Sequence, residues 1–370
     1  MQIFLDNIIY SLQISGGISA YWMEITKRIL QKNDYKIKFI EAPGSNLNIF
    51  RCSINIPKKN IIPDTLNIKF LTRYLPVWIN STDSLHIFHS SYLRFCKSKK
   101  TINIATVYDC TYELYGKGLS RLIHRIQKFF LLKCADIVIC ISKNTMNDLL
   151  HLYPWANKEK MKVVYLAAGD EYCPLTFSSF EYITKVHSSK SFLLYVGSRA
   201  SYKNFNLVVE ALESLTEYSL VFVGGGKPNR AELDILKKID GRYTHIPKLS
   251  NEELNKYYNS AFCLIYPSEY EGFGIPPLEA MMAGCPVIAK KGSSIDEVVG
   301  DAALLMTRSD YRQIIELVKE LENVDLRRAI ISKGFANASN FSWDLCFERT
   351  IQIYEQEMNL RLENANLKEG

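Results

Sequence analysis

The sequence lacks the features that mark membrane-spanning, secreted and zinc-binding proteins. It has no run of about 18 uninterrupted apolar residues, so a membrane-spanning helix is not expected. Residues 1–6 carry no basic leader and reach an acidic residue at once, so a secretory signal is not expected either. None of the nine cysteines belongs to a C-x-x-C pair. This pattern predicts a reduced, cytoplasmic protein without disulfides or a zinc site.

Low-complexity segments and short repeats are also missing. The composition, with 47% hydrophobic and 23% charged residues, excludes disordered chains, collagen and small disulfide scaffolds. A length of 370 residues suggests about two domains. Short apolar runs alternate with helical patterns, which is typical of parallel sheets with helical crossovers. The expected fold is therefore α/β, with two Rossmann-like domains that face each other across a cleft.

The alternation stops in a Ser/Thr-rich stretch at residues 174–190, which predicts a linker. We therefore expect an N-terminal domain at 1–180 and a C-terminal domain at 181–344. Residues 343–362 predict one long helix with no strand after it, so residues 345–370 are expected to pack back on the first domain. Strands are predicted near residues 2–5, 37–41, 85–88, 102–107, 136–141, 163–166, 192–196, 220–223, 243–246, 262–266, 286–289 and 303–306.

Charge is distributed unevenly along the chain. Residues 1–180 contain 23 Lys and Arg against 13 Asp and Glu, a net charge of +10, whereas residues 181–370 carry 22 against 26. A basic first half favours an anionic partner, either a membrane surface or a phosphorylated substrate, although solvated surface lysines would give the same count. No helix-turn-helix, RNP or zinc-finger pattern is present, so nucleic acid is not an expected partner.

Residues 120–134 predict a basic amphipathic helix. The favoured interpretation is a surface helix that packs its apolar side on a sheet. The alternative is a helix that lies on an anionic bilayer. The apolar side consists of Leu122, Ile123, Ile126, Phe129 and Phe130, and most of the opposite side consists of Arg121, Arg125, Lys128 and Lys133.

Glycines and cations follow the first strand of each half, where open α/β folds bind ligands. Gly16 and Gly17 would let backbone amides approach a phosphate or sugar, although a tight turn needs the same residues. In the second half, Gly197 is followed by Arg199 and Lys203. Two cations beside a backbone nest suit a diphosphate, although an ordinary basic loop would look alike.

The most informative stretch is Tyr266–Val287. A strand is expected to end at Tyr266, and a helix to begin near residues 275–276, where proline fits the first turn. The helix N-terminus would offer free amides and a positive dipole to phosphate oxygens. Glu279 could then accept two hydroxyl hydrogen bonds, as from a ribose, and Glu271 could hold a sugar ring.

These segments resemble retaining glycosyltransferases of the GT-B fold, family 4, over nearly the whole chain. The resemblance is carried by the E-x7-E element from Glu271 to Glu279 within PSEYEGFGIPPLEAM. Supporting matches are YVGSRASYKN at 195–204, CPVI at 285–288, DEVVGDAA at 296–303, ADIVICIS at 135–142 and FSW at 341–343. The style of these motifs is closest to bacterial enzymes that build surface polysaccharides, including mannosyltransferases.

The resemblance implies a role for each matching residue. Glu271 would contact the hydroxyls of the donor sugar, and Glu279 would hold the ribose. Arg199 and Lys203 would neutralise the leaving diphosphate, with Gly16 and Gly17 near it from the other domain. The remaining donor-binding residues would be Gly197, Gly272, Phe273, Gly274, Ile275, Pro276, Leu278 and Lys248.

Two departures from the family pattern concern specificity. Tyr108 stands where the family commonly has a histidine facing the donor sugar, so Tyr108 and the adjacent Asp109 join the candidate catalytic residues. Pro247, beside Lys248, stands where a glycine is usual, and it lacks the N–H that could meet a base. The nearby histidines, His86 and His89, are interpreted as structural.

The resulting hypothesis is a retaining hexosyltransferase. It would move a sugar, first choice mannose from GDP-mannose, from a nucleoside diphosphate to a lipid-linked saccharide in O-antigen or capsule synthesis. The family usually needs no metal, so neither a metal nor another cofactor is expected. We expect a cytoplasmic location, with peripheral contact to the inner membrane face as an extension. The alternatives are a nucleotide-sugar epimerase on the same fold and a non-catalytic nucleotide-sugar-binding subunit.

Overall fold

The computed structural model describes residues 1–64, 72–79, 84–175 and 192–369. The chain forms two compact units, one of Met1–Leu166 with Trp343–Gly370 and the other of Ala167–Ser342. Most of the predicted linker, and the boundary predicted between residues 180 and 181, lie outside the described residues. Each unit is a parallel sheet with helical crossovers, so the α/β fold with two Rossmann-like units is confirmed.

The first unit is built on a seven-stranded parallel sheet in the order β3-β2-β1-β4-β5-β6-β7. The strands are β1 (Gln2–Asp6), β2 (Lys36–Glu41), β3 (Ile61–Pro63), β4 (His86–Ser90), β5 (Thr101–Val107), β6 (Ile137–Cys140) and β7 (Met161–Val163). The helices are α1 (Ile9–Leu12), α2 (Gly17–Ile29), α3 (Ile49–Cys52), α4 (Thr111–Tyr115), α5 (Gly118–Cys134) and α6 (Lys143–Leu152).

The second unit is built on a six-stranded parallel sheet in the order β10-β9-β8-β11-β12-β13. Its strands are β8 (Phe192–Val196), β9 (Ser219–Val223), β10 (Tyr243–Ile246), β11 (Cys263–Tyr266), β12 (Val287–Lys290) and β13 (Leu304–Met306). Its helices are α7 (Phe205–Ser214), α8 (Arg230–Leu236), α9 (Asn251–Ser260), α10 (Ile275–Met282), α11 (Ile295–Val299), α12 (Tyr311–Glu320) and α13 (Val324–Ala338). The last helix of the chain, α14 (Trp343–Glu369), belongs to the first unit.

The strand order creates a switch point in each sheet, where the connections that follow two neighbouring strands run towards opposite edges of the sheet. In the first sheet it lies between β1 and β4, and in the second between β8 and β11. Ligands of open α/β sheets bind beyond the carboxyl ends of the strands at such points. In the second unit, the segments that follow β8 and β11 contain Lys203 and Glu271, which places both candidates at the switch point.

Helix α14 packs on the first unit and contacts a buried histidine of its sheet. The Tyr354 hydroxyl lies 2.5 Å from His89 Nδ1, and the Thr106 hydroxyl lies 2.9 Å from His89 Nε2. At the start of the helix, Arg28 Nε donates to Asp344 Oδ1 over 2.7 Å. Burial lowers the pKa of His89 to about 3, so this histidine is neutral and structural, in agreement with the interpretation of the sequence.

Helix α5 is oriented differently from the favoured interpretation of its sequence. The side chains it buries are Gln127, Lys128, Leu131 and Leu132, whereas most of its predicted apolar side is exposed. Lys128 Nζ lies 2.6 Å from Glu113 Oε2 in a buried ion pair. The interpretation that the apolar side packs on a sheet is therefore wrong: the helix buries the side that carries Lys128, the cation that pairs with the buried Glu113.

Other differences from the predicted elements are local. Strand β3 was not expected, and β7 ends at Val163 rather than beginning there. In the part of the chain that the structure describes, no helix has the length and apolar character needed to cross a membrane.

The His89 contact predicts acid sensitivity of the first unit. The folded pKa lies below the ordinary value of 6.5, so the unfolded chain binds more protons between these values and stability falls as pH drops. Between pH 6.5 and pH 5 the histidine should cost about 2 kcal/mol of unfolding free energy. Denaturant unfolding of wild type and His89→Asn at both pH values, followed by Trp fluorescence, measures this difference. An equal pH dependence in both proteins would contradict it.

Candidate functional site

Lys203 and Glu271 meet at the carboxyl edge of the second sheet. Lys203 Nζ lies 2.8 Å from Glu271 Oε1, and each side chain is 14% exposed. Lys203 ends a short 3-10 helix that follows β8, and Glu271 belongs to the loop between β11 and α10. The site therefore holds a cation and a carboxylate in contact, with one edge of each open to a ligand.

A second set of hydrogen bonds joins the same two segments. Asn204 adopts a left-handed backbone conformation (φ 52°), which asparagine tolerates better than most residues. Its Nδ2 donates to the carbonyl of Pro267 over 3.0 Å and to Glu269 Oε1 over 2.9 Å. The Glu269 N–H donates to the carbonyl of Tyr202 over 2.8 Å. These contacts fix the distance between the two loops, so the meeting of Lys203 with Glu271 does not depend on their ion pair alone.

A buried hydroxyl holds the conformation of the Glu271 loop. Ser294 Oγ, fully buried, lies 2.8 Å from the carbonyl oxygens of both Glu271 and Phe273, which share its proton. Gly274 follows with φ +109°, and a Cβ there would lie 2.7 Å from Ile295 Cδ1. Only glycine fits this position without displacement, so the glycine of the motif is required by the turn.

Helix α10 begins directly after this loop. Gly274 is its N-cap, Ile275 its first residue, and proline occupies its first turn, where no N–H is needed. Leu278 is fully buried and anchors the helix to the sheet. No acidic residue lies in the first turn, so the positive end of the helix dipole is not neutralised within it. The helix N-terminus is suited to an anion.

Glu279 has a strongly perturbed carboxyl group. Burial raises the pKa of its carboxyl to about 7, and hydrogen bonds from the hydroxyls of Tyr258 and Tyr172 oppose the rise. Tyr258 Oη lies 2.8 Å from Glu279 Oε2. Nearby Glu171 adds to the upward shift. The two tyrosines were missed from the sequence, because both lie outside the motif and only the fold brings them to this carboxylate.

Arg199, one of the two cations predicted to neutralise the diphosphate, makes several contacts within the protein. Its side chain is only 2% exposed, and it lies 3.1 Å from Glu232 through Nε. Nη1 donates to the carbonyl of Gly224 over 2.9 Å, and Nη2 to that of Gly226 over 3.0 Å. The guanidinium thus holds the glycine loop after β9, and Lys203 is the cation that reaches Glu271. Gly197, with φ +132°, leaves room beside Lys203.

The other donor-side candidates are more scattered. Phe273 is buried against the ring of Phe341, whereas Gly272 and Pro276 are partly exposed. Lys248 is exposed in the segment after β10, an edge strand two positions from β8.

The candidates of the first unit lie at the carboxyl edge of its own sheet. Gly16 is the N-cap of α2, and Gly17, its first residue, is exposed, with open space where a Cβ would stand. Tyr108 follows β5, and its hydroxyl donates to the carbonyl of Ser91 over 3.2 Å. Asp109 Oδ1 accepts from the N–H of Thr111 over 3.1 Å.

Burial raises the pKa of Tyr108, so the residue at the family's histidine position is an un-ionised hydrogen-bond donor. His86 serves a structural purpose, because its ring nitrogens lie 2.9 Å from the carbonyl of Ser84 and 2.8 Å from the hydroxyl of Thr101. Among the residues with described positions, no group of three or more His, Cys, Asp or Glu is arranged to hold a metal ion.

Most of the second unit matches a known protein family. Residues 181–336 match the family described as "Glycosyl transferases group 1". The O-antigen chain mannosyltransferase B of Escherichia coli is 27% identical over 60% of this chain and 61% of its own length. The O-antigen chain mannosyltransferase RfbU of Salmonella typhimurium is 26% identical over 55% of this chain and 56% of its own. The chain thus spans about three fifths of the length of these curated relatives.

Solved structures with the same fold cover nearly the whole chain. Anabaena Alr3699/HepE, in complex with UDP and glucose, has a TM-score of 0.67 at 15% identity and covers 95% of this chain and 98% of its own. WaaG, a glycosyltransferase involved in lipopolysaccharide biosynthesis, has a TM-score of 0.65 at 16% identity and covers 96% and 99%. The fold is therefore GT-B.

The raised pKa of Glu279 predicts a pH dependence opposite to that of His89. Since the folded pKa of about 7 exceeds the ordinary value of 4.5, the folded state binds the proton more tightly and stability is lost as pH rises between them. From pH 5 to pH 7, wild type should lose about 2 kcal/mol of unfolding free energy relative to Glu279→Gln.

Denaturant titrations of the two proteins at pH 5, 6 and 7 measure the difference. Tyr258→Phe removes a hydrogen bond to the ionised form, so it should steepen the loss. A parallel pH dependence of wild type and Glu279→Gln would show that this carboxyl titrates normally.

Proposed function

We propose that this chain, a GT-B protein with a glycosyl transferases group 1 domain, is a retaining hexosyltransferase. It would move a hexose from a nucleoside diphosphate to a hydroxyl of a saccharide acceptor. The observation that carries the proposal is the 2.8 Å contact between Lys203 and Glu271 beside the N-terminus of α10. A cation and a helix dipole at one switch point suit the diphosphate of a nucleotide sugar, and the carboxylate beside them suits the hydroxyls of its sugar.

Each part of the donor has a complementary group. The N–H of Ile275 and the positive end of the α10 dipole would meet the diphosphate, since Pro276 and Pro277 have no N–H to offer. Glu279, oriented by Tyr258 and Tyr172, would accept hydrogen bonds from the two ribose hydroxyls. Glu271 would accept from hydroxyls of the sugar.

The reaction would proceed on one face of the sugar. The bond between the anomeric carbon and the phosphate oxygen breaks, and the acceptor oxygen bonds to that carbon from the same side. The acceptor proton passes to the leaving phosphate oxygen, so no separate base is required. Lys203 would stabilise the charge that develops on the leaving group. Arg199, held by the carbonyls of Gly224 and Gly226, would act by shaping the adjacent loop.

Mannose from GDP-mannose is the first choice of donor, and the relatives named as O-antigen mannosyltransferases support it. A neighbour of the same fold that binds UDP and glucose supports nucleotide-sugar recognition in general. We propose a lipid-linked saccharide of a surface polysaccharide as acceptor, in keeping with the basic first half. The reaction is proposed to need no metal and to occur on the cytoplasmic side of the membrane.

Tyr108 and Asp109 would contribute from the first unit. The Tyr108 hydroxyl, un-ionised at neutral pH, is bonded to the Ser91 carbonyl. It would replace the imidazole of the family with a neutral donor, which bears on which sugar is accepted.

The site predicts separable effects for its two central residues. Lys203→Ala should lower kcat about 100-fold, because the loss of one preorganised donor to a leaving group costs about 10²–10³. Glu271→Gln should abolish measurable transfer while the free nucleoside diphosphate still stabilises the protein thermally, because Glu271 is proposed to contact the sugar and not the nucleotide. Glu320→Gln, an exposed acid on α12, is the matched control and should retain wild-type kinetics. Full activity of Glu271→Gln would refute the site assignment.

Donor identity and stereochemistry form a further prediction. Among GDP-, UDP- and ADP-sugars, one should stabilise the protein thermally and be consumed only when a saccharide acceptor is added. The anomeric configuration of the product, read by NMR coupling constants, should equal that of the donor. Interconversion of donor sugars without acceptor would identify an epimerase instead. Binding of a donor with no turnover by any acceptor would support a non-catalytic subunit.

A further inference from the structure

Helix α5 exposes an apolar surface that the proposed reaction does not use. Its accessible fractions are 71% for Leu119, 53% for Leu122 and 53% for Phe130. These values are unusual for side chains of this size in a helix that packs on a sheet. The surface, called the α5 face below, consists of Leu119, Leu122, Ile126, Phe129, Phe130 and Trp155, all of them exposed.

The side chains of the α5 face are ordered by contacts with one another and with the end of α6. The rings of Phe129 and Trp155 lie 5.0 Å apart at 66°, and those of Phe129 and Phe130 lie 5.6 Å apart at 85°. The hydroxyl of Tyr153 donates to the carbonyl of Arg125 over 3.1 Å and ties the end of α6 to α5. Between the two helices lies a groove of about 460 Å³, lined by Arg125, Ile126, Phe129, Phe130, Leu152, Tyr153 and Trp155.

Along α5 itself, the exposed charges have one sign. No acidic residue occurs between Glu113 and Asp136, and this stretch contains five basic residues. One of them, Lys128, is buried against Glu113. The other four, Lys117, Arg121, Arg125 and Lys133, are exposed. Lys133 Nζ lies 4.3 Å from the ring centre of Trp155, so an ammonium group stands directly beside the apolar surface.

We propose that the α5 face docks the first unit on an anionic phospholipid surface. Apolar side chains would enter the boundary between headgroups and acyl chains, and the flanking cations would meet lipid phosphates. A second copy of the chain is disfavoured as the occupant, because a two-fold contact would bring the same cations face to face. The proposal rests on the proposed function only in placing the acceptor at the membrane. The surface itself is argued from the exposure of its apolar side chains and from the charges beside them.

Vesicle flotation of the full chain tests the proposal. Vesicles of phosphatidylcholine alone are compared with vesicles that contain one quarter phosphatidylglycerol, at low and high salt. Wild type should float with the anionic vesicles and stay behind with the neutral ones. Arg121→Glu combined with Arg125→Glu should lower the partition constant at least ~25-fold, since each basic residue near such a surface contributes about a fivefold factor. Leu122→Ser combined with Phe130→Ser should lower it at least tenfold.

Matched control variants distinguish binding through the α5 face from non-specific binding to vesicles. Leu360→Ser combined with Leu362→Ser removes two exposed leucines from α14, and Arg312→Glu combined with Lys319→Glu reverses two exposed cations on α12. Both should float as wild type does. Equal binding to neutral vesicles, or unchanged flotation of both α5 double variants, would overturn the proposal. A dimer that dissociates in Leu122→Ser/Phe130→Ser, with no vesicle binding by wild type, would assign the face to a second copy and overturn it as well.

The proposed function is checked separately with a water-soluble acceptor analogue. The α5 variants should transfer sugar to it at the wild-type rate, because none of the changed residues belongs to the donor site. Vesicle binding without transfer by wild type would refute the proposed function and leave the docking surface in place. Transfer without vesicle binding would do the reverse.

Discussion

The position of the candidate catalytic carboxylate depends on one buried hydroxyl. Ser294 Oγ shares its proton between the carbonyl oxygens of Glu271 and Phe273, two residues apart in the same loop. If Ser294 were replaced by a residue without a hydroxyl, both carbonyls would lose this hydrogen bond. An unsatisfied buried polar group costs about 1–3 kcal/mol. The loop would then relax at the Gly274 turn and at the start of α10, whereas the contacts of Asn204 would still hold the two loops together.

The sequence predicts the architecture well because the central strands of a parallel sheet are buried on both faces. Such strands are nearly continuous apolar runs, so β6, β8 and β11 are visible by composition alone. The three-residue strand β3 lies at the sheet edge and buries too little to produce that signal. The E-x7-E element is equally local, because strand, loop and helix start lie within one segment. Its two carboxylates can therefore be assigned to the carboxyl edge of a sheet from the order of residues alone.

What the sequence could not supply are the partners that come from elsewhere in the chain. Periodicity assigns a side chain to a face of a helix, but it does not say which face turns inward. In α5 the side that turns inward carries a partner for Glu113, a buried carboxylate of the preceding helix that needs a cation. Lys128 supplies it, and the apolar side is left outside. The pairing of Tyr172 with Glu279 and the capture of Arg199 by glycine carbonyls are non-local in the same way.

These internal contacts also change what the net charge means. Arg199 and Lys128 count as positive charges in the sequence, yet both are buried among internal acceptors and present little charge to solvent. The cations that can act on a partner are those left exposed, and along α5 they flank an apolar surface with no acid among them. A helix that exposed the same leucines and phenylalanines with mixed charge would invite association with many proteins. When all the exposed charges are positive, an anionic surface is favoured as the partner, because self-association would bring like charges together. Lys128 pairs with the buried Glu113 while the apolar side of α5 is left outside, and the lack of acidic residues along α5 leaves only cations beside that apolar side.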